Sequence, residues 1–326
     1  MEDDNLNIDE KNRPLFSIVT SLYCSAQYLS EFYERTKKAV ESITDQYEII
    51  FVNDGSNDDS LEKAIKIQQD NSRVSIIDLS RNFGQHKAYM AGMEHAQGQY
   101  VFLIEADLEE LPEWIIDFYQ EIKKEKNVDV IYGQQKHRKG KFFERLSGLL
   151  FYKIFNFISE TKIPESHITV RLMTRRYVKS LLEYQERESF LGAIYELAGF
   201  EKRPYLVSKL SHSRTTYTMK RKLALFVNGL TSFSTAPLLL VFWIGLFVFI
   251  LSMGSIAYVV IRRLSGITPE SGWTSIIASI WAVGGLIMLS MGVIGIYLKK
   301  VLVEVKRRPN AIVRHIYKTK TDSSSL

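Results

Sequence analysis

Three acidic residues, Glu105, Asp107 and Glu109, stand at alternate positions inside the stretch Tyr100–Glu113, YVFLIEADLEELPE. On extended chain alternate side chains share a face, so their carboxylates can turn oxygens toward one divalent cation. Mg²⁺ and Mn²⁺ suit that role because they take oxygen ligands and share them with phosphates. The competing reading is an acidic flank that complements the dipole of a following helix, which Pro112 opens with Glu113 in its first turn. Two further polar groups end apolar runs: Asn53-Asp54-Gly55-Ser56, and Ser80-Arg81-Asn82-Phe83-Gly84. Either can be no more than a turn. His86 and His95 follow the second group, and with nothing to pair them as ligands both read as structural.

The elements that must hold these groups alternate in type. Leu15–Leu22, Tyr47–Val52, Val74–Leu79, Tyr100–Ile104 and Val128–Tyr132 read as buried strands. Helices read from about Gln27 to Ile43, from Asp58 or Asp59 as N-cap to about Gln69, from the Gly84 loop to about Ala96, and after Pro112. Strand–helix alternation from Leu15 to Gly133 predicts an α/β fold with a doubly wound, mostly parallel sheet. Such sheets bind ligands beyond the carboxyl ends of their strands, where all three polar groups fall.

Past Gly133 the pattern changes. Lys139–Glu160 is amphipathic, basic and rich in aromatics, as a helix in a membrane interface would be; a core helix is the plainer alternative. His167–Thr174 reads as a strand, Arg175–Ala198 as one or two helices, and Phe200–Leu210 as a further strand. Thr216–Phe233 is a second basic amphipathic stretch. Pro237–Ile261 and Trp273–Leu298 each exceed the roughly 20 residues a bilayer requires and contain no charged side chain. Basic residues before the first span (Lys209, Arg214, Lys220, Arg221, Lys222) and after the second (Lys299, Lys300, Lys306, Arg307, Arg308) outnumber Arg262 and Arg263 between them. That bias predicts a hairpin with both of its ends in the cytoplasm. No ionisable residue lies mid-span, which argues against a transport path.

Composition narrows the class. With 326 residues the chain has room for about two domains, and 46% of it is apolar. The single cysteine, Cys24, excludes an internal disulfide and fits a reducing compartment. The first residues, MEDDNLNIDEKNR, lack the apolar core of a signal peptide. The net charge of +5 is concentrated from Lys136 onward, beside the apolar runs. This favours an anionic lipid surface over nucleic acid, for which no base-reading motif is present.

The order VNDGSNDDS, then LSRNFGQHKAYMAGMEHAQGQYVFLIEADLEELPE, then VRLMTRR, then a membrane hairpin resembles the family-2, A-type-fold glycosyltransferases. Within them it is most similar to the polyisoprenyl-phosphate glycosyltransferases, over Leu15 to about Arg308. The resemblance implies a nucleotide-sugar donor, with a UDP-sugar favoured, and a polyprenyl-phosphate acceptor such as undecaprenyl phosphate. It places Tyr23, Asn53 and Asp54 at the base and ribose, with Ser80 and Arg81 in the loop beside them. Asp54 could accept from sugar hydroxyls or a base N–H; the turn reading stays open. Glu105, Asp107 and Glu109 fall on the family's metal and diphosphate cluster, implying Mg²⁺ or Mn²⁺, while Arg138 and Arg171 fall near arginines aimed at the acceptor phosphate. Catalysis would then rest on Asp107, Glu105 and Arg171.

Composition and charge along the chain predict a layout: a disordered tail over 1–14, a cytoplasmic catalytic domain over 15–215 and a juxtamembrane helix over 216–235. Two spans over 236–298 and a basic cytoplasmic tail over 299–326 complete it. The setting is the bacterial inner membrane, with room for a homo-oligomer. The chain departs from the family at Thr20–Ser25 (TSLYCS in place of a Pro-x-Tyr-Asn-Glu pattern). It also departs at Glu105, in place of Asp, at Glu109, in place of Gln, and at Thr169, where an Asp is commonly discussed as a base. A phosphate acceptor survives the last change: its second pKa of about 6 leaves it a dianion that needs no base. A sugar hydroxyl on a lipid-linked glycan would need one. That alternative acceptor, and a non-catalytic scaffold with a degenerate nucleotide site, are the rival readings.

Overall fold

The computed structural model describes residues 13–125, 127–135, 167–184, 191–209, 236–265 and 272–319. They fall into two units: one built from the residues up to 209 together with 309–319, the other from 236–265 and 272–308.

The first unit is the α/β domain. Its strands are β1 (Phe16–Leu22), β2 (Tyr47–Asn53), β3 (Val74–Leu79), β4 (Tyr100–Leu103), β5 (Val130–Gln135), β6 (His167–Thr174), β7 (Lys202–Val207) and β8 (Val313–Tyr317). Its helices are α1 (Leu29–Glu41), α2 (Ser60–Asp70), α3 (Gln85–His95), α4 (Trp114–Lys124), α5 (Arg175–Leu182) and α6 (Leu191–Leu197). One sheet runs β7-β5-β6-β4-β1-β2-β3-β8. β1 pairs parallel with β2 and β4, β2 with β3, and β5 with β7. β6 and β8 run against the rest.

Helices cover both faces, which is why β1 is buried along almost its whole length and not at alternate positions. On one face Phe16, Ile18, Phe51 and Phe102 pack with Phe32 of α1, Ala64 of α2 and Phe118 of α4. On the other, Val19, Val52, Leu103 and Met173 pack with Tyr89 of α3, Tyr177 of α5 and Ile194 of α6. α1 buries Leu29, Phe32, Tyr33, Thr36, Ala39 and Val40, the three-and-four spacing of one helix face. α3 approaches β1 closely because of Gly92: a Cβ there would lie 2.5 Å from Val19 Cγ1.

The sequence expectations hold for the strand–helix alternation and the mostly parallel sheet. Two placements go beyond them. β6 does not extend the parallel set; it inserts antiparallel between β4 and β5, with Arg171 opposite both Leu103 and Tyr132. The segment read as a basic tail supplies β8, which pairs antiparallel with β3 through Ile76↔Tyr317 to Asp78↔His315. Its apolar alternation, VRHIY, is too short to stand out beside the preceding lysines and arginines.

The second unit contains α7 (Ala236–Leu264, 29 residues) and α8 (Trp273–Val305, 33 residues). Both are longer than the apolar runs read from sequence. Within α8, Ala282–Val305 is long and apolar enough to cross a membrane; in α7 the described apolar stretch is the shorter Leu238–Val248. Phe242, Trp243, Phe247, Ile280, Met288 and Met291 are all exposed. The amphipathic stretches Lys139–Glu160 and Thr216–Phe233, the first twelve residues of the expected tail, and Arg138 lie outside the described residues.

Candidate functional site

The acidic loop begins where β4 ends. Extending the antiparallel register of β4 with β6 beyond Leu103↔Arg171 brings Glu105 opposite Thr169. There the Thr169 hydroxyl donates to Glu105 Oε1 at 2.8 Å, and Gln85 Nε2 donates to the same oxygen at 3.0 Å. Lys209, just past β7, places its ammonium 2.8 Å from Glu105 Oε2 and 3.4 Å from Glu109 Oε2. Burial works to raise the Glu105 carboxyl, but Lys209 and the hydrogen bonds from Thr169 and Gln85 outweigh it and hold it below its ordinary range. For Lys209 burial is likewise overcome, by Glu105 and Glu110, and its ammonium is held well above its ordinary value.

Asp107 is half-buried, and its Oδ1 accepts from the Glu109 N–H at 3.0 Å. Burial and then the charge of Glu105 push its carboxyl upward. Leu108 turns the loop in the left-handed region, at φ 59°. Glu110, fully buried, pins the loop down. Its Oε1 accepts from the N–H groups of Thr169 and Val170 at 3.1 and 3.2 Å, and its Oε2 from Glu105 N–H at 3.2 Å. Burial and neighbouring Glu105 push this carboxyl up to about 8, against the pull of those N–H donors.

Among the described residues no three His, Cys, Asp or Glu side chains converge as a metal site. The donor set still fits a hard cation in kind: it is all carboxylate oxygen, and two of its members already hold the Lys209 ammonium between them. A divalent ion on Glu105 and Glu109 would therefore contend with Lys209. The sequence reading placed Lys209 among the charges flanking a span; folding carries it instead into the acidic loop.

Arg171 is buried. Its Nε and Nη2 donate to the carbonyls of Thr169 and Ile168 at 3.0 and 3.1 Å, and its guanidinium lies 3.5 Å from the centroid of the Tyr195 ring. His86, at the start of α3, lies within electrostatic range of both Arg171 and Glu105, so it shares this edge. His95 accords with a structural role, its Nδ1 lying 2.9 Å from the Ala91 carbonyl.

The loops after β1, β2 and β3 gather at the same sheet edge. Asp54 is buried, and its two oxygens accept from Phe83 N–H at 2.7 Å and Gly84 N–H at 3.0 Å, tying the end of β2 to the start of α3. Gly55 has φ 62°, and a Cβ on it would stand 2.4 Å from the backbone nitrogen of Asn82. Only glycine lets these loops meet so closely. Asn53 donates to Asp78 Oδ1 at 2.8 Å and accepts from Ser56 N–H at 3.2 Å. Asn53 and Asp54 thus build the loops, while Tyr23 and Arg81 are exposed at the rim, Arg81 lying over the Phe83 ring at 4.1 Å. Ser80 N–H donates to the Ile312 carbonyl at 2.8 Å.

Asp58, read only as a helix cap, has a larger part. It accepts from the hydroxyls of Ser56 and Ser60, both at 2.5 Å, and from Ala26 N–H at 3.0 Å, joining the first loop to the second. Burial opposes its ionisation, yet these bonds hold its carboxyl at about 2. In the sequence Asp58, Glu110 and Lys209 are ordinary charged residues, and no spacing rule singles them out.

The glycosyl transferase family 2 profile matches residues 17–182. A protein of Mycobacterium tuberculosis (strain CDC 1551 / Oshkosh) named for glycosyltransferases is 41% identical over 92% of this chain and 88% of its own length. The glycosyltransferase YkcC of Bacillus subtilis (strain 168) is 33% identical over 93% and 94%. The bactoprenol glucosyl transferase of Shigella phage SfV is 30% identical over 92% and 98%. Among solved structures, mannosyl-3-phosphoglycerate synthase from Rubrobacter xylanophilus gives a TM-score of 0.47 at 12% identity, over 66% of this chain and 72% of that one. With the family profile lying on the sheet that carries the acidic loop, and with relatives matched along nearly the whole chain, the chain belongs to glycosyl transferase family 2 and is a glycosyltransferase.

Proposed function

We propose that the chain transfers a sugar from a nucleotide-diphosphate sugar, a UDP-sugar in the first instance, to a polyprenyl phosphate such as undecaprenyl phosphate in the bacterial inner membrane. The observation that carries this is the extent of the similarity to a bactoprenol glucosyl transferase. It covers 92% of the chain, and so runs well beyond residues 17–182 into the apolar helices.

The site chemistry agrees with a phosphate acceptor. At the position where the family commonly has Asp, Thr169 donates its hydroxyl to Glu105, so it supplies no base. A phosphate dianion needs none: it attacks the anomeric carbon directly, and one displacement inverts the configuration. The transition state is oxocarbenium-like, by analogy with glycosidases. Arg171, with Arg138, would orient the acceptor phosphate through the guanidinium N–H groups not given to carbonyls. Tyr23, Arg81 and Ser80 would line the nucleotide, on loops held by Asn53 and Asp54. Asp107, Glu105 and Glu109 would hold Mg²⁺ or Mn²⁺; when bound, that cation neutralises charge on the departing diphosphate.

The two long helices would form a transmembrane hairpin. Support comes from β8: the chain before α7 and the chain after α8 both contribute strands to one sheet, which requires an even number of crossings. The basic flanks would keep that sheet in the cytoplasm, and membrane attachment confines the search for a lipid acceptor to a surface.

The test uses detergent-purified protein, undecaprenyl phosphate, Mg²⁺ or Mn²⁺ and a panel of labelled UDP- and GDP-sugars, following label into the organic phase. One donor should give metal-dependent transfer, reduced roughly a thousandfold by Asp107→Ala. Nucleotide binding without transfer to the lipid phosphate, but with transfer to a lipid-linked glycan, would overturn the acceptor assignment.

A further inference from the structure

The C-terminal strand reaches the nucleotide side of the sheet edge, and it does so irregularly. In the β3/β8 ladder Asp78 pairs with His315 but Leu79 pairs with Val313, so Arg314 is the extra residue of a bulge. Bulges next to functional sites re-aim a side chain. Here Arg314 Nη2 donates to the Ser80 carbonyl at 2.5 Å, and Nη1 lies 3.6 Å from Asp78 Oδ2. Two residues earlier Ile312 accepts the Ser80 N–H at 2.8 Å, so both backbone polar groups of Ser80 are held by the C-terminal segment.

Asp78 is the pivot. It is 2% exposed, and a carboxylate so placed requires a counter-charge or donors. Its Oδ1 takes the Asn53 amide at 2.8 Å, and Asn53 in turn accepts the Ser56 N–H at 3.2 Å. Gly55 lies against Arg81 and Asn82 with no space for a Cβ, so movement at Ser80 is carried straight into the Asn53–Ser56 loop. One exposed guanidinium thus braces two loops from outside.

We propose that Arg314 is a positioning residue for the nucleotide part of the donor, acting through Asp78 and Ser80. The inference rests on the reading that the loops after β2 and β3 hold the nucleotide. It gives the segment beyond the apolar helices a role in donor affinity, separate from membrane attachment.

The experiment is titration of UDP into the full-length protein in detergent, together with steady-state kinetics, for wild type, Arg314→Ala and Arg314→Lys. Arg314→Ala should weaken UDP binding and raise the donor KM about fivefold, the scale of a partly exposed ionic contact. It should leave kcat and the undecaprenyl-phosphate KM within about twofold. Arg314→Lys keeps the charge beside Asp78 but cannot also serve Ser80, and should recover part of the loss. An unchanged UDP affinity in Arg314→Ala, or an equal loss in donor and acceptor parameters, overturns the inference while leaving the donor-site reading intact. A wild type that transfers sugar but binds no UDP, with donor KM equally unmoved by both variants, overturns the inference and the nucleotide placement together.

Discussion

The two halves of the candidate site deal with their carboxylates in opposite ways. On the β1–β2–β3 side, Asp54 and Asp58 are met by neutral donors: backbone N–H groups and serine hydroxyls. These bonds join loop to loop and engage the carboxylate oxygens within the protein. On the β4–β6 side, Glu105, Asp107, Glu109 and Glu110 crowd together and are met, among the described residues, by the Lys209 ammonium and by the edge of β6. Unlike the first arrangement, this one gathers several carboxylates around a single ion-paired ammonium among the described residues. The difference separates a half held by neutral donors from a half held by an ion pair and a strand edge.

That contrast can be tested by removing its parts, and the largest effect is expected at Glu110. Replacing it with alanine strands the N–H groups of Glu105, Thr169 and Val170, and should cost about 3 kcal/mol of stability in denaturant unfolding. A loss much below that would mean that the β4–β6 edge is held by something other than this carboxylate.

Lys209→Met should have the next largest effect, with the opposite sign for metal. With its ammonium gone from Glu105 and Glu109, Mn²⁺ binding followed by electron paramagnetic resonance should tighten about tenfold, while UDP affinity without metal stays put. Unchanged Mn²⁺ affinity would show that the lysine and the cation do not compete.

The same carboxylate also sets a pH dependence. The folded-state Glu110 carboxyl, pushed up to about 8, lies above its unfolded value of about 4.3. Between those limits the folded chain retains a proton that the unfolded chain has released. The stability tied to that proton is present at acid pH and lost as pH rises through about 8. Thermal unfolding between about pH 5 and pH 8 should therefore show a falling Tm, flatter in Glu110→Gln. On the other half of the site, Asp58 is depressed to about 2, so its contribution is constant across the same range.

Most of the first half of the chain was legible in sequence. Apolar runs bounded by turn residues mark β1 to β5, and local spacing alone brings Asn53, Asp54 and the Glu105–Glu109 loop to the carboxyl edge. What escaped was every relation between distant segments. The place of β6 depends on which edge of β4 is open, and no local pattern in HITVRLMT records that edge or the antiparallel direction. Only that pairing makes Glu105 and Thr169, two departures from the family pattern, a single hydrogen-bonded couple.

The sequence by itself determined the strand–helix alternation, the acidic composition of the loop after β4 and the two long apolar stretches, because each is encoded by neighbours a few residues apart. Tertiary structure alone decided that Lys209 neutralises Glu105 from 104 positions away, that Asp54 closes a loop instead of facing outward, and that the C-terminal segment returns as β8 to brace Ser80. The physical reason is common to all three. A charged or polar side chain takes whichever partner the packing of remote elements brings within about 3 Å, and local sequence carries no record of that partner.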